Sequence, residues 1–205
     1  MSEFSIVVLS LVGCVFAASA AAKLNGRLAY RSFRDGLGET GLIPASLLPT
    51  AAGLLSLAEA IVAGALLAAS GLTAAAVPGA AWPAESALVA AAALTVVLAA
   101  GVAVVVRRGT RAHCACFGAR SARPIGRLHL ARNLCLLTVI GAGLAGIPLS
   151  SSDAGAAGAV LAVAAGAVAA LLLIRWDDLA ELFMPVAAPT AQATAVPRLA
   201  DDRGD

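Results

Sequence analysis

Five separate stretches of this chain are long and apolar enough to cross a bilayer, and that property narrows the possible folds more than any motif does. A segment in hydrocarbon must bond its own backbone N–H and C=O groups, so about 20 consecutive apolar residues read as a spanning helix. The stretches cover residues 4–22, 45–69, 86–106, 128–147 and 154–174. Hydrophobic residues make up 60% of the chain and charged residues 13%, against roughly 25% charged in soluble globular domains. The expected fold is all-α: a polytopic membrane helix bundle, one domain over residues 1–176, with the lipid bilayer as its solvent. Residues 177–205, a Pro, Ala and Asp mixture without apolar periodicity after Met184, are expected to be a disordered tail. Ala18-Ser19-Ala20 resembles a signal-peptide cleavage site, but the basic leader is missing and Glu3 is the first charge, so the first helix is read as retained.

The cations are sided. Lys23, Arg27, Arg31 and Arg34 follow the first span, and Arg107, Arg108, Arg111, Arg120, Arg123 and Arg127 follow the third. Connections after the second and fourth spans carry none, and Arg175, Arg198 and Arg203 follow the fifth. By the positive-inside rule the N-terminus is outside the cell membrane and the C-terminus cytoplasmic. The net charge of +2 gives no reason to expect a nucleic-acid partner.

Within the spans, Gly158, Ala162, Gly166 and Ala170 recur every four residues on the fifth, and Gly141 with Ala145 on the fourth, a spacing that lets helices approach closely. Ionisable residues at depth are costly and mark a partner or a cavity. Glu59 falls roughly 20 Å inside the second span, and Arg132, beside Asn133, roughly 7 Å inside the fourth, counting about 1.5 Å per residue. A direct Glu59–Arg132 pair then needs both side chains stretched toward each other; the simpler reading lets Arg132 snorkel to the head groups and Glu59 bond a neighbouring helix.

The remaining chemistry lies in His113-Cys114-Ala115-Cys116-Phe117-Gly118, between the third and fourth spans and holding two of the four cysteines. One intervening residue closes only a small, strained disulfide ring, which is easily reduced and suits exchange. His113 and nearby arginines favour the thiolate. Cys114 and Cys116 are thus the candidate redox pair, with Phe117 and Gly118 shaping the return to the membrane. A closed metal site needs about four ligands, and Cys114, Cys116 and His113 supply three with His129 a distant fourth, so no metal site is expected and no cofactor is assigned. Inert thiols remain an alternative. Cys14 and Cys135 lie inside spans, where a lone cysteine behaves as a small apolar residue.

These landmarks together resemble the methylamine utilisation protein MauE family, which belongs with the DoxX-like membrane proteins. The resemblance is carried by Lys23 closing the first helix, an amphipathic Arg-rich connection ending near Pro44 or Pro49, and Leu57-Ala58-Glu59. It also rests on Cys114-Ala115-Cys116-Phe117-Gly118 and Arg132-Asn133, and it covers residues 4–147. It implies a four-helix DoxX-like core with a fifth transmembrane helix and a non-catalytic or accessory role, at most a thiol–disulfide relay. The implied task is maturation or disulfide formation of a periplasmic amine dehydrogenase subunit, with a thioredoxin-like exported or membrane-anchored partner. A structural or chaperone-like membrane partner and a small transporter are the alternatives. The charge count conflicts with an exported target, because it puts the cysteine pair inside. Either the rule fails here, or the loop dips into the bilayer, or the pair passes reducing equivalents outward.

Overall fold

The apolar runs turn wherever they meet glycine or proline. In the computed structural model, which describes residues 3–109, 126–147, 155–176 and 178–179, helix α1 (Glu3–Leu24) stops at Asn25-Gly26. Gly26 has φ 102°, a conformation that a Cβ disfavours. The turn launches a short helix, α2 (Arg27–Glu39), followed by a 3₁₀ turn at Ala45–Leu47 that runs into α3 (Leu48–Ala74). Pro49 occupies the first turn of α3, where its fixed φ suits a helix start and its missing N–H costs nothing. Helix α4 (Ala81–Arg108) ends on Gly109 at φ 65°, whose N–H closes onto the Val105 and Val106 carbonyls as a left-handed cap. Helices α5 (Arg127–Gly146) and α6 (Ala156–Ile174) complete the described chain.

Among the described residues five helical segments are long and apolar enough to cross a membrane: α1, the continuous 45–74 segment, α4, α5 and α6. The expected all-α polytopic architecture is what is found. The second and third spans, α3 and α4, outrun their apolar stretches, reaching Ala74 instead of 69 and extending over 81–108 instead of 86–106. An apolar run marks only the hydrocarbon crossing, whereas the helix continues until glycine, proline or a cap stops it.

Helix α1 is the axis of the bundle and touches every other helix. Its Leu9, Val12, Val15 and Phe16 form one core with Val62 and Leu66 of α3, Leu88 and Ala91 of α4, Leu136 and Ile140 of α5, and Ala170 and Leu173 of α6. Helices α1 and α3 run antiparallel, registered by a Ser10–Ser70 hydroxyl contact of 2.8 Å near one end and by Ser19 on Glu59 near the other. The small-residue face of the fifth span is buried as expected: Ala162, Gly166 and Ala170 are covered, and a Cβ on Gly166 would lie 2.6 Å from the Val7 carbonyl oxygen. Backbone therefore meets backbone there. Isolated hydroxyls in the spans are satisfied within their own helices, Ser56 on Ala52, Thr73 on Ala69 and Thr95 on Ala91, at 2.7–2.9 Å.

Candidate functional site: a buried charged chamber

Four ionisable side chains are buried in the half of the bundle where α1 ends and α5 begins: Lys23, Glu59, His129 and Arg132. Lys23, counted among the cations that follow the first span, closes the first helix as its penultimate residue; it is 1% exposed and points into the bundle instead of into the connection. Its ammonium lies 2.5 Å from both carboxylate oxygens of Glu59, itself 1% exposed. Ser19, one turn earlier on α1, donates to Glu59 Oε2 and accepts from Lys23 Nζ, each at 3.1 Å. The positions 19 and 23 share one helix face, so a single stripe of α1 supplies both groups that hold the carboxylate. On its far side the ammonium rests 4.6 Å from the centre of the Phe33 ring, the one buried side chain of α2, a cation–π contact.

The depth count made this pairing invisible. Measured from residue 45, Glu59 lay deep in the membrane, out of reach of a residue at a helix end. In the structure the first turn of α3 is flanked by α2, with the Tyr30 hydroxyl donating to the Pro49 carbonyl at 3.0 Å and Gly38 packed against Leu48. The start of α3 thus stands beside the connection, and Glu59 comes level with the last turn of α1. A lysine stem of four methylenes covers the rest.

Beside the pair is a chamber of about 70 Å³. Its polar wall is made by Ser19, Glu59, Thr95, His129, Arg132 and Asn133, and its apolar wall includes Phe16, Leu98, Val102, Leu136 and Leu173. Glu59, Arg132 and Asn133, singled out separately in the sequence, therefore meet around one space. Arg132 is buried in the chamber wall and does not snorkel to the surface, because α5 turns that face toward α1. The volume accommodates a few waters, each needing at least about 10–15 Å³. Both oxygens of Glu59 are engaged from α1. Among the described residues no three His, Cys, Asp or Glu side chains gather as a metal site.

His113, Cys114, Cys116, Phe117 and Gly118 lie outside the described residues. The segment that contains them joins Gly109, which caps α4, to Gly126, which precedes α5, and both flanking helix ends are at the chamber's end of the bundle. Cys14 is half-buried in α1 and Cys135 exposed on α5, both as free thiols. Sequence reasoning missed Ser19 and Phe33, and held Lys23 only as a landmark at the end of the first helix, without its partner Glu59. The available signal was the i, i+4 pair Ser19/Lys23 inside a helix that otherwise carries charge only at Glu3.

No curated protein and no solved structure matches the chain. A family model described as methylamine utilisation protein MauE matches residues 1–146, which takes in α1 through α5, every polar residue of the chamber wall and the Cys114–Cys116 segment. On that match the chain is a multi-pass helical membrane protein that belongs to the MauE family.

Proposed function

We propose that this protein is a membrane accessory factor for the maturation of an exported protein, in the family's context a periplasmic amine dehydrogenase subunit, and that Cys114 and Cys116 are its thiol–disulfide exchange pair. The observation that carries the reading is the family match, whose span of residues 1–146 includes Lys23, Glu59, Arg132 and the cysteine segment. A thiolate of one cysteine attacks a disulfide of a thioredoxin-like partner, forming a mixed disulfide and releasing one partner sulfur as a thiolate. The second cysteine then displaces the remaining partner sulfur. The Cys114–Cys116 pair ends as a disulfide and the partner as a dithiol; the reverse sequence oxidises the partner. The charge count puts the N-terminus outside and the C-terminus in the cytoplasm, which leaves the pair inside; exchange with an exported partner then requires that the loop dip into the bilayer or that reducing equivalents pass outward.

Alkylation in intact cells with a membrane-impermeant maleimide, before and after reduction, tests it in a variant lacking Cys14 and Cys135. Labelling that requires an opened membrane and rises after reduction is the expected result. Thiols that never change redox state would remove the exchange role.

A second reading has its own observation, the buried Lys23–Glu59 pair on the chamber: a small transporter or a purely structural partner working through those charges. Lys23→Met/Glu59→Met separates the two, because it removes both charges without leaving one buried and unpaired. It leaves Cys114–Cys116 exchange intact if the pair is the working part, and abolishes function with the thiols still cycling if the chamber is.

A further inference from the structure

Helix α2 joins α1 and α3, two spans that pack against each other, so it is held at the membrane boundary. Only Phe33 of its residues is buried, and that side chain faces Lys23. Arg27, Arg31 and Arg34 recur at i, i+4 and i+7, which groups them within an arc of about 60° at roughly 100° per residue. Asp35 holds Arg34 at 2.8 Å, whereas Arg27 and Arg31 are exposed and no described carboxylate pairs with either. Leu28, 83% exposed, lies one turn before Arg31 on α2, and Leu24, 56% exposed, ends α1 just across the Asn25-Gly26 turn. Every other described Lys or Arg also belongs to this half of the bundle, while the opposite ends of α1 and α4 begin with Glu3 and near Glu85.

We propose that the outer face of α2 is a docking surface for anionic phospholipid, Arg27 and Arg31 taking the headgroup phosphate and Leu24 and Leu28 meeting the first methylenes of the acyl chains. The composition of the patch identifies the occupant. A soluble anion would engage the arginines and leave both leucines in water. An amphiphile that carries its charge next to hydrocarbon satisfies both, and a helix fixed at the boundary already sits at that depth. Because the inner face of α2 closes on Lys23 through Phe33, a headgroup bound outside also holds the cover over the ion pair. The inference does not depend on the thiol chemistry proposed above.

Native mass spectrometry of the full chain in detergent, titrated in parallel with phosphatidylglycerol and phosphatidylcholine, reads this directly. Phosphatidylglycerol is expected to be retained preferentially, each arginine contributing about fivefold, and Arg27→Gln/Arg31→Gln brings the two lipids to parity. The equal charge change Arg107→Gln/Arg108→Gln, at the end of α4, leaves the preference in place. Leu28→Ser weakens retention of both lipids. Equal retention by the unaltered chain overturns the proposal, as does a preference that survives the α2 double variant or is lost equally with the α4 one. Full displacement of phosphatidylglycerol by millimolar inorganic phosphate also overturns it, since the site would then serve a soluble anion. Circular dichroism of each variant, with helix content unchanged, keeps a folding defect from imitating lost binding.

Discussion

Lys23 and Glu59 are each 1% exposed inside a membrane bundle, and neither charge is tolerable there without the other. Removing one member leaves a buried, uncompensated charge, at a cost of about 3–5 kcal/mol, whereas replacing both by well-packed apolar groups is often neutral. Lys23→Met is therefore expected to destabilise the detergent-solubilised protein by roughly that amount, and Lys23→Met/Glu59→Met to recover most of it, as read by chemical unfolding followed by circular dichroism. A double variant no better than the single one would mean the pair is not mutually compensating. Ser19 bridges the same two groups, so Ser19→Ala is expected to cost a smaller amount, about 1–2 kcal/mol, in the same assay. These residues also show what was readable beforehand. Glu59, Arg132 and Asn133 stood out because charged and polar side chains in an apolar run are conspicuous, while the pairing of Lys23 was hidden by its lying at the end of one, where lysine ordinarily faces water.

Helix pairing is where glycine positions acquire different meanings. A Cβ on Gly166 would meet backbone of α1 at 2.6 Å, and backbone cannot rotate away, so Gly166→Ala is expected to push α6 off α1 and cost about 1–3 kcal/mol. Gly64, inside α3, has nothing within 4 Å of the same position, and Gly64→Ala is expected to stabilise by about 0.5–1 kcal/mol through helix propensity alone. Thermal unfolding of the two variants in one detergent compares them; equal effects would contradict the close α1–α6 approach. The antiparallel register of α1 and α3 has an equally direct check. Ser10→Cys/Ser70→Cys, in a chain without the four native cysteines, is expected to cross-link rapidly under mild oxidation because the parent hydroxyls are 2.8 Å apart. Slow or absent cross-linking would require a different register.

At the level of the molecule, the described cations gather at one end of the bundle, which makes sidedness testable apart from any function. Ser32→Cys in α2 and Val77→Cys in the turn between α3 and α4 mark opposite ends. In a background free of native cysteines, impermeant maleimide applied to whole cells is expected to label only Val77→Cys, as the positive-inside rule requires. Labelling of Ser32→Cys from outside would invert the protein and place Cys114 and Cys116 on the exported side, directly facing the maturation target proposed for them.

The five spans, the all-α class and the family resemblance were legible in residue order, because the cost of exposing backbone to hydrocarbon acts locally, and a run such as 86–106 declares itself whatever surrounds it. The turns at Asn25-Gly26 and Pro49 are local as well, since backbone preference decides them. What only the tertiary structure decided is which buried groups meet. Glu59 pairs with Lys23, thirty-six positions earlier, and shares a chamber with Arg132 from a third helix. That outcome depends on how far each helix projects past its neighbours and which face it turns inward. Both are set by packing of small side chains such as Gly166 and Gly143 against α1, and packing between distant segments leaves no periodic mark in the sequence.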